Sequence, residues 1–146
     1  MNLELNKCSL DDKNEIWALF LESMKPHIEK IWGWDVEWQL NEFNGRYFEL
    51  NTSFVLLDGK RIGYVQYTLL DDETYVDMLI LYPENRSLGY GVPILTLLDS
   101  LQKENSLKLR CFKVNESAYR FYLDNGFELV DDEENFYLLR WCKIAL

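Results

Sequence analysis

Proline is scarce in this chain, with three in 146 residues, and no stretch rich in Gly, Pro or Ser divides one part from another. That leaves no place for a linker. Internal repeats and low-complexity tracts are also missing, which excludes solenoid and fibrous architectures. No apolar run approaches the roughly 20 residues that cross a bilayer, and the start, Met1-Asn2-Leu3-Glu4, lacks the basic-then-apolar order of a secretion signal. The expectation is a soluble, cytoplasmic protein without a membrane partner. Cys8, Cys111 and Cys142 are odd in number, far apart and free of CxxC or Cys/His spacing, so neither a disulfide framework nor a metal site is expected. The one histidine, His27, follows Pro26 in what reads as a helix-breaking region, where a structural or exposed role is expected. Positive charge is short as well: 15 basic against 25 acidic side chains give a net charge of −10. Such a surface repels polyanions, which argues against a nucleic-acid partner and favours cationic small substrates.

Hydrophobic residues make up 48% of the chain, enough for one domain over residues 1–146 with a sizeable core. Asn2 to Lys7 alternates as a short strand. Ser9 can then cap a helix with Asp11 and Asp12 in its first turn and Ile16, Leu19, Phe20 and Ser23 facing inward. A second helix begins near Asp35, places Val36, Leu40 and Phe43 on one side, and fades around Leu50. The period then changes to two. Ser53 to Leu57 and Arg61 to Leu70 flank Asp58-Gly59, a hairpin signal because both residues accept a positive φ. Thr74 to Tyr82 follows as a third antiparallel strand.

Ile94, Leu95, Leu98 and Leu101 recur at helical spacing, with Pro93 early enough to be tolerated in a first turn. Leu107 to Phe112 is the next strand, parallel to Thr74–Tyr82 because a crossover helix joins them. Asn115 caps a helix from about Glu116 to Asn125, Gly126 ends it, and Phe127 to Val130 with Phe136 to Cys142 close a terminal hairpin. The fold class is α/β (α+β): a mixed, mostly antiparallel central sheet of about seven strands with helices on both faces.

Two segments carry chemistry. In the first, Arg86-x-x-Gly89-x-Gly91 lies between a strand and a helix. A dinucleotide fingerprint would need a third glycine where Ile94 stands, and a nucleotide P-loop would need Gly-Lys-Ser/Thr. What is left is two glycines that let backbone amides approach an anion at the positive end of a helix, with Arg86 able to add a charge-assisted contact. Leu81-Tyr82-Pro83-Glu84-Asn85-Arg86-Ser87-Leu88-Gly89-Tyr90-Gly91 resembles the first signature of the GNAT superfamily of acetyl-CoA-dependent N-acetyltransferases. The resemblance implies acetyl-CoA as co-substrate. It also implies that amides of Arg86, Ser87, Leu88, Gly89, Tyr90, Gly91 and Val92 hold the diphosphate, and that the backbone of Leu79, Ile80 and Leu81 lies along the pantetheine arm and acetyl group. Ser87 and Tyr90 stand where the family more often has Gly and a small aliphatic residue.

The second segment, Asn115-x-x-Ala118-x-x-Phe121-Tyr122-x-x-x-Gly126-Phe127, resembles the second signature of the same superfamily. Ala118, Phe121, Tyr122 and Asn125 share one helical face, which points Tyr122 toward the sheet. A phenol there suits the departure of coenzyme A as a thiolate. By resemblance, Asn115 contacts the pantetheine arm and Tyr122 is the general acid; by its residues alone, Tyr122 reads as a core aromatic beside Phe121. Leu109-Arg110-Cys111-Phe112 lacks the glutamate some family members use as base, so Asp77 is the nearest acidic candidate. Cys111 points inward with Leu107 and Leu109 and is assigned to the core.

Upstream, His27 to Gln39 holds three tryptophans and several acids. The family places an acceptor-pocket wall here, so the resemblance makes Trp32, Trp34, Asp35 and Trp38 candidates for holding a cationic amine; a brace between helices or a dimer contact is the alternative. The implied reaction is transfer of acetyl to a primary amine, small-molecule or peptide, by direct attack. A non-catalytic acyl-CoA-binding regulatory domain, or a toxin acetylating charged tRNA, are the alternatives. A homodimer paired through the terminal strand ending Trp141-Cys142-Lys143 is a candidate assembly.

Overall fold

A computed structural model describes residues 2–103 and 106–142. Its strands are β1 (Leu3–Lys7), β2 (Asn51–Leu57), β3 (Lys60–Leu69), β4 (Thr74–Leu81), β5 (Ser106–Phe112), β6 (Glu128–Asp132) and β7 (Phe136–Cys142). Its helices are α1 (Lys13–Trp32), α2 (Val36–Glu49), α3 (Gly91–Asp99) and α4 (Glu116–Asp124). The seven strands form one open sheet in the order β1-β2-β3-β4-β5-β7-β6. All the ladders described are antiparallel except the β4–β5 step, where Thr74, Tyr75 and Val76 pair with Leu107, Lys108 and Leu109. Lys143, at the end of the expected dimer strand, lies outside the described residues.

The chain forms two compact units, Met1–Tyr67 with Met78–Tyr90, and Thr68–Asp77 with Gly91–Leu146. In the first, the Asp12 carboxylate accepts the Ser9 backbone N–H at 2.8 Å and its hydroxyl at 3.1 Å, which fixes the entry to α1. Ile16, Leu19 and Phe20 are buried, as their spacing predicts. The helix does not break at Pro26, so the expectation of a helix-breaking region around His27 is corrected. Proline withholds only one amide from the helical ladder, and burial of Ile28 beyond it favours continuing the helix to Gly33, whose φ of +76° ends it. Burial, and then Lys30, lower the His27 pKa.

Asp35 caps α2 by accepting the Trp38 N–H at 3.2 Å. The inner face of α2 is also corrected. Phe43 and Tyr47 are buried, but Val36 and Leu40 on the same stripe are 55% and 37% exposed, because the core covers only the second half of the helix. Trp17 stacks near Phe20 at 5.6 Å and meets Phe43 at 4.9 Å, an aromatic joint between α1 and α2. Asp58 and Gly59, at φ +51° and +84°, make the β2–β3 turn as their identities require.

In the second unit β5 and β7 pair along their whole lengths, and Leu107, Leu109, Cys111, Leu139 and Trp141 are buried with Ile94, Leu95 and Leu98 of α3. Cys111 is therefore core, as expected, and burial pushes its thiol up to about 11. Glu73, only 7% exposed, bridges Lys108 at 2.8 Å and Arg140 at 3.4 Å, which fastens the start of β4 to β5 and β7. No helix among the described residues is long and apolar enough to cross a membrane.

Candidate functional site

The loop after β4 is built by its side chains and presents its backbone. Pro83–Asn85 is a single tight turn, closed by the Asn85 amide on the Tyr82 carbonyl at 2.9 Å. Arg86 then runs extended, Ser87 takes φ +61° and Gly89 φ +87°, and α3 begins at Gly91. Ser87 and Gly89 therefore both lie in the left-handed region, and the first turn of α3 has amides without a partner inside the helix, the kind of backbone that suits an anion. Ser87 holds a conformation that costs a side-chain-bearing residue about 1 kcal/mol, at the position where the family more often has glycine.

The two motif glycines are required for different reasons. A Cβ on Gly89 would meet nothing within 4 Å, so its requirement is the positive φ and an open approach to its backbone. A Cβ on Gly91 would lie 2.8 Å from Cζ of Phe121 on α4. A side chain at position 91 would therefore require the Phe121 ring to shift. Arg86 is also engaged: its Nε donates to the Leu81 carbonyl at 3.0 Å, and its two terminal nitrogens donate to the Glu22 carboxylate at 3.1 and 2.5 Å. Leu88 is exposed, and Tyr90 and Val92 are half-buried.

Leu79 and Leu81 are half-buried and Ile80 is buried. Behind them lies a residue that the sequence reading passed over. A Cβ on Gly63 of β3 would fall 2.3 Å from the Ile80 carbonyl oxygen and 2.8 Å from the Leu81 Cα, so only glycine permits this approach. The available signal was a glycine inside a strand pattern, which marks close backbone contact.

On α4, the Asn115 side-chain oxygen accepts the Ala118 N–H at 3.3 Å and the Ser117 hydroxyl at 3.4 Å, which caps the helix. The Tyr122 ring meets Phe121 and Phe127 edge-on at 5.5 and 5.0 Å, and Phe127 stacks on Trp141 at 5.3 Å. Gly126, at φ +91°, turns the chain so that Phe127 can reach that stack. Burial, and then the Cys111 thiol, raise the Tyr122 pKa, so the phenol keeps its proton at every ordinary pH. Asp77 is half-buried and accepts the Thr68 hydroxyl at 2.9 Å.

The tryptophan-rich stretch is divided between tasks. Trp34 packs 6.4 Å from Trp17 and carries the Lys25 ammonium 5.3 Å above its ring, while the Asp35 carboxylate serves the α2 cap. Trp32 and Trp38 are 57% and 58% exposed. Among the described residues no group of three or more His, Cys, Asp or Glu side chains could hold a metal ion.

The chain has an open, mostly antiparallel sheet with one parallel step, a glycine-containing loop opening a helix, and a capped helix bearing the half-buried Tyr122. The chain belongs to the GNAT acetyltransferase family, whose family model, described as "Acetyltransferase (GNAT) family", matches residues 13–127. Solved structures agree in fold. The PaiA N-acetyltransferase of Thermoplasma acidophilum, determined in complex with coenzyme A, is 18% identical, with a TM-score of 0.73 over 97% of this chain and 99% of that one. A GNAT-family acetyltransferase of Staphylococcus aureus is 15% identical, with a TM-score of 0.70 over 97% and 99%. A putative acetyltransferase of Bacteroides thetaiotaomicron is 21% identical, with a TM-score of 0.67 over 99% and 89%. No curated protein matches the chain by sequence.

Proposed function

We propose that this protein moves the acetyl group of acetyl-CoA to a primary amine by direct attack, within a single catalytic domain spanning residues 1–146. The observation that carries the reading is the contact of Gly91 with Phe121, because it joins the anion-binding loop to the helix of the acid, one residue before Tyr122. Acetyl-CoA supplies an activated thioester, so positioning and charge stabilisation are the protein's main contributions. The amides from Arg86 to Val92 receive the diphosphate, the backbone of Leu79, Ile80 and Leu81 receives the pantetheine arm, and the Nδ2 of Asn115 donates to its amide carbonyls. As the amine nitrogen forms its bond to the acetyl carbon, the carbon–sulfur bond breaks and its electron pair leaves on sulfur. Tyr122 donates a hydrogen bond and then its proton to that thiolate. Asp77, directly or through water, takes the proton that the amine loses.

The acceptor is a small-molecule or peptide amine, held by the wall from Trp32 to Trp38, with the exposed rings of Trp32 and Trp38 offering faces to a cation. A cytoplasmic protein acting alone or as a homodimer fits this reading. The test is incubation with acetyl-CoA and a panel of amines, following the acetylated product by mass, beside Tyr122→Phe. Transfer to at least one amine, with turnover about 100-fold lower in Tyr122→Phe and coenzyme A affinity unchanged, is expected. Binding of acetyl-CoA without transfer to any amine would overturn the N-acetyltransferase reading in favour of a regulatory domain.

A further inference from the structure

Resting on the proposed role of the loop, we infer that Glu22, seconded by Glu15, is a positioning residue for the cofactor: the two carboxylates clamp the two ends of the Tyr82–Arg86 segment to α1. Glu15 and Glu22 stand two helical turns apart on α1 and so share a face. At one end the Tyr82 hydroxyl donates to Glu15, which also accepts Arg61 Nη1 at 2.8 Å. At the other end the Arg86 fork closes on both oxygens of Glu22 at 3.1 and 2.5 Å. Between them Tyr82 also donates its amide to the Ile62 carbonyl at 3.0 Å, and Arg86 Nε holds the Leu81 carbonyl at 3.0 Å. The segment is therefore fixed to α1, β3 and β4 just before the backbone enters the left-handed Ser87.

The clamp changes what Arg86 does. Every nitrogen of its guanidinium already donates to the protein, and its charge is matched by Glu22, whose pKa the hydrogen bonds from Arg86 lower. Planar, bidentate pairing of this kind fixes direction as well as distance. Arg86 thus orients the loop, and the diphosphate is left to backbone amides. Both side chains of the pair are partly exposed, 35% for Arg86 and 46% for Glu22, so the pair adds little to global stability and its effect concentrates on the local geometry of the loop.

A double-mutant cycle decides between this role and direct phosphate contact by Arg86. Coenzyme A affinity is measured by calorimetry, and steady-state constants for acetyl-CoA are measured alongside, for wild type, Glu22→Gln, Arg86→Gln and the double variant. Each single substitution is expected to raise Kd and KM for the cofactor about tenfold with kcat nearly unchanged, and the double variant to be no worse than either single. Glu22→Asp, which keeps the charge, is expected to recover most of the loss, and Tyr82→Phe to show a smaller change in the same direction. Tighter or unchanged binding in Glu22→Gln would overturn the clamp, since freeing Arg86 can help only if Arg86 itself touches phosphate; full additivity would overturn it too. A wild type that does not bind coenzyme A would instead sink the loop assignment on which the clamp rests.

Discussion

The loop from Tyr82 to Gly91 and the helix α4 use backbone and side chain in opposite ways. In the loop, side chains are anchors: Tyr82 on Glu15 and Arg86 on Glu22, with Gly91 leaving room for the Phe121 ring. The backbone is the part proposed to bind. On α4 the first turn is capped by Asn115, and the side chain of Tyr122, the acid in the proposed mechanism, is braced by Phe121 and Phe127. An anion of diffuse charge is best met by several fixed amide dipoles, whereas a proton must be delivered from one atom at one place. The difference teaches that a substitution in the loop should act through shape and one at Tyr122 through a single oxygen.

The sharpest break in that comparison is Tyr122→Phe, which removes one oxygen and leaves the braced ring: turnover falls on the order of 100-fold while cofactor affinity holds. Loss of affinity together with rate would place Tyr122 among the anchors. Gly91→Ala comes next. Its new methyl group collides with Phe121, and overpacking of this kind costs about 1–3 kcal/mol, read as a rise of about tenfold or more in KM for acetyl-CoA. Phe121→Leu in the same chain should restore much of the loss, and failure of that rescue would return Gly91 to a purely anion-facing role.

Alkaline pH tests the inner side of α4. Tyr122 and Cys111 hold their protons in the folded chain beyond the pH at which the unfolded chain releases them, with burial the leading cause for both. The folded state then binds more protons, so stability is full below the ordinary thiol value of 9.0 and declines as pH rises toward and past about 11. Melting temperature should fall from pH 9 upward, and Tyr122→Phe should flatten the slope at its upper end; an unchanged slope would mean that the phenol is not buried. The smallest effect belongs to Ser87→Gly. Relief of the left-handed conformation should make the fold about 0.5 kcal/mol more stable, with cofactor affinity preserved because the loop binds through its backbone. A loss of affinity on removing that hydroxyl would show that side chains of the loop also bind.

Reading the sequence located the two motifs well because both depend on short-range rules. Asn115 and Gly126 bound α4 by capping and by positive φ, and Asp58-Gly59 sets its hairpin the same way. Periodicity found the core face of α1 and misjudged α2, where Val36 and Leu40 share a stripe with the buried Phe43 yet stay exposed. A period tells which residues face together, but not how far the neighbouring surface extends. Proline at position 26 misled for a related reason, since packing beyond it outweighed its local cost.

By itself, then, the sequence determined the strand and helix order, the glycine loop, the caps and the placement of a phenol on an inward face, because these follow from torsional preference and spacing along a continuous chain. Only the tertiary structure assigned the partners. It gave Arg86 to Glu22, Gly91 to Phe121 and Gly63 to the backbone of Ile80, and it divided the tryptophans between packing at Trp34 and exposure at Trp32 and Trp38. Those pairings join residues far apart in the chain, and no local pattern encodes which distant side chain will arrive opposite.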